Sequence, residues 1–372
     1  MFLLLLLVFP LTAHAVNLED LSWQPDRVTK ESILQDHTKL INLATFPGLT
    51  TLAYVTPWNP RGYHLARKTA SRLTHVSPVW FHMEPIYDAD GEIEDVVIKG
   101  EENINTDFTK YLRKENPNIK IVPRFRFAPD EFPDPRKTQR MMEKEILVWN
   151  VAVKMVKLCK KKRYDGLVLE ILDVAYAGTN KKALEIVLEG IGMMGDMFRK
   201  HNLHSILSMP PPVKFKEEGD YWYRDGIILA DPCTELLEHF DHIQLWTYSD
   251  QITDFRADLQ DWVTANLKKF GYSKKMIIGI NYYGQEVFHK IRENNPYDVI
   301  TGKRFLEVLK RDDAKLTFKE ESTEHILRTS ESVVYFPSMT SLEYRMAQAY
   351  ELQMGIAFWE YGQGLDYFTN LV

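Results

Sequence analysis

An α/β barrel of eight strand–helix units is the fold this sequence predicts, and three observations predict it. Eight apolar, strand-like runs recur along the chain, most of them followed by a segment of helical periodicity. Strands separated by helices imply parallel pairing, because crossover helices must cover the sheet. No G-x-G-x-x-G turn follows the first run, which counts against an open doubly wound sheet. Eight such units close into a (β/α)8 TIM barrel.

The elements follow in order. Residues 1–15 read as a secretory signal peptide: Phe2 to Thr12 is apolar, and Ala13-His14-Ala15 fits a small-x-small cleavage site. The apolar run is shorter than the ~20 residues of a membrane span, and no later segment qualifies. A secreted or lysosomal, oxidising compartment is therefore expected. Residues 16–48 form a polar, partly helical extension, and residues 49–372 hold the barrel.

Strand one is "TTLAYVTPW" (50–58), followed by the helical "GYHLARKTASRL". Strand two is "HVSPVWFHM" (75–83), and "DADG" between "EPIY" and "EIEDVVI" marks a hairpin excursion over 85–103. Strand three is "KIVPRFRF" (120–127), followed by one long helix in "TQRMMEKEILVWNVAVKMVKLCK". Strand four is "DGLVLEIL", with a helix over about 181–201. "HSILSMPPP" (204–212) and "DHIQLWTY" (241–248) are strands five and six, the latter followed by a helix over 255–269. Strand seven is "KMIIGINYYG" (275–284). A small α+β insertion over about 285–337 comes next and walls one side of the barrel mouth. The helix "SLEYRMAQAYELQ" then leads to strand eight, "GIAFWE" (355–360).

Composition excludes some functions. The 372 residues carry a net charge of −6 with acids and bases interspersed, so nothing marks a nucleic-acid partner. The basic run "KLCKKKR" (157–163) is best read as cations gathered at a helix C-terminus. There are two cysteines, Cys159 and Cys233; one disulfide or two free thiols both fit. No Cys or His spacing suggests a metal, and no cofactor is expected.

Barrel sites lie at the C-terminal ends of the strands. Those ends offer Tyr54 and Trp58, Trp80 and His82, Arg124 and Arg126, Glu170, Met209, then Gln244, Trp246 and Tyr248. Strand seven adds Asn281, Tyr282 and Tyr283, and strand eight Trp359 and Glu360. Aromatic platforms with a few hydrogen-bonding groups suit sugars, which have apolar CH faces and hydroxyl rims.

"YDGLVLEI", "LWTYSD", "INYYGQ" and "GIAFWEYGQGLDYF" resemble glycoside hydrolase family 18, the chitinase barrels. The resemblance covers nearly all of the chain after the signal peptide, and it is nearest to a stabilin-interacting, chitinase-like branch. It implies a saccharide-binding barrel for oligosaccharide or lipopolysaccharide, with a cell-surface sorting receptor of the stabilin type as a partner. The family's strand-four pattern is D-G-x-D-x-D-x-E. Anchored on Asp165-Gly166, it places Val168, Glu170 and Leu172 at its second Asp, third Asp and acid, and alternation puts all three on the inner face.

Leucine has no proton to give, so a catalytically silent lectin is expected. Glu170 lies two residues earlier, ~6.6 Å deeper along a strand, whereas a general acid must come within ~2.6–3.2 Å of the leaving oxygen. It keeps either a hydrogen-bonding role toward the sugar or a structural one, paired with Arg124, Arg126 or Tyr248. The resemblance further implies that Trp359 floors the central subsite, followed by a cis peptide, and that Tyr248 contacts the sugar. The Asp usually found after that Tyr is Ser249 here, with Asp250 one place on. The expected saccharide-binding set is Trp359, Tyr248, Glu170, Trp80, Tyr54, Trp246 and Tyr282. Two alternatives stand beside the lectin: a hydrolase with a relocated acid (Glu170, Glu360 or Asp173), and an interaction scaffold with a plugged barrel.

Overall fold

The computed structural model describes residues 16–41, 46–175, 181–209, 215–217, 220–222, 230–247, 272–290 and 297–372. The expected leader, the 255–269 helix, Tyr248, Ser249, Asp250 and the side chains of Asp173 and Cys233 lie outside them.

The strands are β1 (Thr51–Val55), β2 (His75–Pro78), β3 (Phe81–Tyr87), β4 (Ile93–Lys99), β5 (Lys120–Ile121), β6 (Arg124–Phe127), β7 (Gly166–Glu170), β8 (His204–Met209), β9 (Phe215–Glu217), β10 (Asp220–Trp222), β11 (His242–Leu245) and β12 (Met276–Asn281). After them come β13 (Gly284–Phe288), β14 (Tyr297–Ile300), β15 (Lys315–Lys319), β16 (Glu324–Arg328), β17 (Ser332–Tyr335) and β18 (Gly355–Trp359). The helices are α1 (Lys30–Asp36), α2 (Pro60–Lys68), α3 (Thr106–Glu115), α4 (Pro135–Met142), α5 (Glu145–Lys162), α6 (Leu172–Ala175), α7 (Lys181–Lys200), α8 (Ala230–His239), α9 (Gly302–Leu309) and α10 (Met339–Glu351).

Eleven strands make one curled sheet in the order β4-β3-β6-β7-β8-β11-β12-β18-β1-β2-β5. All its pairs are parallel except the β3–β4 hairpin. Strands two and three of the sequence reading are each split, β2 from β3 and β5 from β6. Prolines sit at both splits, Pro78 and Pro123, and a proline cannot donate to a ladder. The lower halves pair as β1–β2–β5 and the upper halves as β3–β6–β7. The edge strand β5 therefore runs straight on into β6, third from the opposite edge, and the wall is barrel-like. Five antiparallel strands between β12 and β18 form a second sheet, β14-β13-β17-β16-β15.

The single long helix expected before strand four is two helices. Lys144 leaves helical geometry at φ −94°, ψ 86°. Tertiary ties outweigh propensity here. Arg140 of α4 makes a two-pronged contact with Glu92 at 2.8 and 2.7 Å, and Lys137 donates to Gly91 O at 2.5 Å. These contacts hold α4 to the hairpin while α5 runs on beneath the sheet. The basic run closes α5, with Arg163 as a left-handed cap at φ 59°. Cys159 is a free, buried thiol whose pKa burial pushes up to about 12.

Asp165 and Gly166 fix where β7 begins. A Cβ at Gly166 would lie 1.8 Å from His204 O, so only glycine lets β7 approach β8 there. Asp165 Oδ2 accepts from Ile121 N at 2.8 Å and pairs with Arg113 Nη2 at 2.8 Å.

Alternation then stacks three tiers inside the wall. The middle tier is an apolar belt of Leu52, Tyr54, Val79, Val122, Val168, Ile206, Ile277 and Ala357, with Trp359 against it. Below it lies a polar floor. His204 Nε2 is 3.1 Å from His75 Nε2 and 3.2 Å from His242 Nδ1, and Lys120 Nζ is 3.1 Å from His204 Nδ1. An ammonium only donates, so His204 Nδ1 accepts and the ring proton is assigned to Nε2. Burial first, helped by the Lys120 charge, lowers the three pKa values: His75 to about 2, His204 to about 3 and His242 to about 4. Among the described residues no group of three or more His, Cys, Asp or Glu is arranged to hold a metal ion. None of the described helices is long and apolar enough to cross a membrane.

Candidate functional site

The upper tier begins with five inward residues aligned across neighbouring strands: His82, Arg126, Glu170, Ser208 and Gln244. Glu170 closes β7 and is 6% exposed. Arg124 Nη1 donates to its Oε2 at 3.0 Å, and Arg126 Nε lies 3.0 Å from its Oε1. One carboxylate thus answers two guanidiniums. The two are not alike. Arg124 is buried, with 8% of its side chain exposed, whereas Arg126 keeps 40%. The Arg126 contact is an ion pair without hydrogen-bond alignment, since its Nε has no hydrogen-bond partner.

Trp359, at the end of β18, stands over this pair. The Arg124 guanidinium lies 4.8 Å from its ring centroid, a cation–π contact. The Tyr54 ring meets it edge-on at 5.2 Å. Tyr54 donates to Gln244 Oε1 at 3.2 Å, Ser208 Oγ donates to the same oxygen at 2.6 Å, and Trp246 Nε1 donates to Ser208 Oγ at 2.6 Å. Burial raises the Tyr54 pKa, with Glu170 adding to it, so the phenol stays protonated. The peptide after Trp359 is cis.

The structure therefore brings Tyr54, Glu170, Trp246 and Trp359 into one contiguous network. It does not bring Trp80 or Tyr282 there. Trp80 is 1% exposed in the outer core, donating to Tyr63 Oη at 2.8 Å beneath the helices. The alternation slips in the break between β2 and β3, where Val79 and then His82 face inward and Trp80 faces out. Tyr282 is also 1% exposed, packed among Phe358, Tyr361 and Phe368. Its neighbour Asn281 shares inward parity with Ile277, so Tyr282 must face out. Ser208 was missed although the same parity, counted from Ile206, finds it.

Strand four ends earlier than the alternation expected. Val168 and Glu170 face inward, but Leu172 starts α6 and packs, 3% exposed, in the outer core. Glu360 is 1% exposed. Burial raises its pKa to about 7 against hydrogen bonds from Asn59 and Gly362. Its carboxylate abuts Gly62 in the first turn of α2.

The arrangement combines an aromatic platform, hydroxyl and amide groups, and a cationic fork. The carboxyl at its centre, Glu170, is engaged on both oxygens by arginines.

The profile of Glycosyl hydrolases family 18 matches residues 50–364. Solved structures share the fold. The chitinase from Chromobacterium violaceum is 15% identical with a TM-score of 0.65, over 87% of this chain and 97% of that one. A family 18 N-acetylglucosaminidase from Paenibacillus barengoltzii is 16% identical with a TM-score of 0.61, over 87% of this chain and 100% of that one. The family 18 chitinase from Cycas revoluta, in complex with (GlcNAc)3, is 12% identical with a TM-score of 0.65, over 86% and 97%.

Proposed function

This chain belongs to glycosyl hydrolase family 18, and from that premise we propose a lectin: a (β/α)8 barrel whose mouth binds a saccharide without cleaving it. The carrying observation is the state of Glu170. It is the only acid on β7, and both its oxygens face guanidiniums at 3.0 Å. A carboxylate with both oxygens engaged by cations is committed to holding the inner wall rather than to a leaving group. The position that the family pattern gives to the acid is Leu172, which packs in the outer core.

Trp359 supplies the stacking surface in this reading, and Tyr54, Trp246, Ser208 and Gln244 form the polar wall behind it. Tyr248 and a closed barrel with residues 285–337 as its insertion belong to the same reading. So do a secreted or lysosomal location, an oligosaccharide or lipopolysaccharide ligand, and a stabilin-type receptor.

One observation favours the runner-up, a hydrolase with a relocated acid. Glu360, with its pKa raised to about 7, is protonated in part of the molecules at neutral pH and adjoins Trp359. Its carboxylate faces α2, however, so the lectin is preferred. The deciding assay is reducing-end release from chitotetraose over a day. The lectin predicts none; turnover that disappears in Glu360→Gln would establish the hydrolase.

A further inference from the structure

We infer that the mouth selects an anionic saccharide, with the exposed guanidinium of Arg126 receiving a carboxylate or ester oxyanion on a sugar that lies against Trp359. The inference rests on the saccharide-binding reading above and adds the class of sugar.

Charge balance is the first observation. Near the mouth, Arg124, Arg126 and Lys99 face Glu170 and Glu84. Lys99 Nζ lies 3.8 Å from Glu84 Oε2, and His82 Nε2 lies 3.3 Å from Glu84 Oε1. Glu84 is therefore answered by Lys99, and Glu170 is left to two arginines. Three cations against two carboxylates leave one positive charge unmatched among the described residues.

Geometry says which cation carries it. Arg124 is committed twice, by a 3.0 Å hydrogen bond to Glu170 and by its stacking on Trp359. Arg126 touches Glu170 only through a misaligned Nε. Its two terminal NH2 groups have no partner among the described residues, and 40% of the side chain is exposed. It sits on the inner wall between His82 and Glu170, not on the outer surface. A planar fork with free N–H pairs matches the two oxygens of a carboxylate, sulfate or phosphate. A neutral hydroxyl would use half of that fork and leave the charge unanswered. Arg124 also holds Trp359 and Arg126 in one unit, because both arginines lean on Glu170. The stacking surface and the anion fork are thus fixed relative to each other before any ligand arrives.

The experiment is calorimetric titration of the full chain at low and at physiological salt. Four probes are used: chitotriose, 6-O-sulfated chitotriose, 6-O-phosphorylated chitotriose and a hyaluronan tetrasaccharide. At least one anionic probe should bind about tenfold tighter than chitotriose at low salt, with the advantage shrinking as salt rises. The three anions separate carboxylate from sulfate and phosphate sources. In Arg126→Gln the ratio of anionic to neutral affinity should fall to about one. Arg126→Lys should fall between, because it keeps the charge and loses the fork. A cooperative urea transition like that of the parent shows that the variants are folded. Chitotriose binding with no anionic advantage, or an advantage that survives Arg126→Gln, overturns this inference alone. Binding of none of the four probes overturns the saccharide-binding reading itself.

Discussion

The two ends of the barrel interior are both polar, and they solve opposite problems. Along β8 the inward residues run His204, Ile206, Ser208, and along β7 Gly166, Val168, Glu170. Floor and mouth are four residues apart, ~13 Å at ~3.3 Å per residue, with the apolar belt between them. At the floor the three imidazoles stay neutral around His204, and the cation there, Lys120, is bound to His204 Nδ1. At the mouth Glu170 bridges two arginines, and Arg126 is open to solvent. The lesson is that polarity alone does not mark a site. A closed cluster whose cation is already bound holds the wall together, whereas an open one with a spare cation has binding capacity left over.

Glu170→Gln should break this contrast most severely. It leaves the buried Arg124 charge uncompensated, and losing one partner of a buried ion pair costs ~3–5 kcal/mol. The drop in urea-unfolding free energy measures it. A loss under ~1 kcal/mol would mean that the pair is solvated and that the mouth resembles an ordinary surface.

Acidification should act on the floor next. The folded-state histidine pKa values lie below the unfolded value near 6.5, so the unfolded chain binds more protons. Stability is full above about pH 6.5 and falls progressively as pH drops toward 4. At pH 5 the loss is on the order of 2 kcal/mol for each fully shifted group. Lys120→Met removes a charge that lowers all three values, so its melting temperature should fall less between pH 7.5 and 5 than that of the parent. An equal fall would show that Lys120 does not influence the cluster.

The smallest expected effect on stability is that of Arg126→Gln. With 40% of the side chain exposed, its ion pair is worth ~1 kcal/mol or less. A larger loss in the same urea assay would make Arg126 structural and dissolve the distinction drawn between the two arginines.

Much of this was legible in the sequence because both periods are simple. All eight strand-like runs contain strands, and the "DADG" segment turns an antiparallel hairpin. Asp165-Gly166 marks the start of β7 because a side chain cannot fit against His204 O. Four features were hidden. The break at Lys144 depends on Glu92 and Gly91, residues ~50 positions away in sequence that only the fold brings near. The alternation slips between Val79 and His82, both inward, so counting back from His82 wrongly turns Trp80 inward. Leu172 keeps the parity of an inward residue, but β7 stops two residues before it. The floor histidines are 129 and 38 positions apart along the chain, and no spacing announces them.

The central claim, that sugar docks on Trp359 and leaves intact, is tested most directly by titrating chitotetraose while following tryptophan fluorescence, then weighing the recovered ligand by mass spectrometry. The account predicts a saturable fluorescence change, at least ~10-fold weaker in Trp359→Ala as expected for losing ~1.4 kcal/mol or more of stacking, with the tetramer recovered whole. Shortened sugars in the recovered ligand, or a titration unchanged by Trp359→Ala, would contradict it.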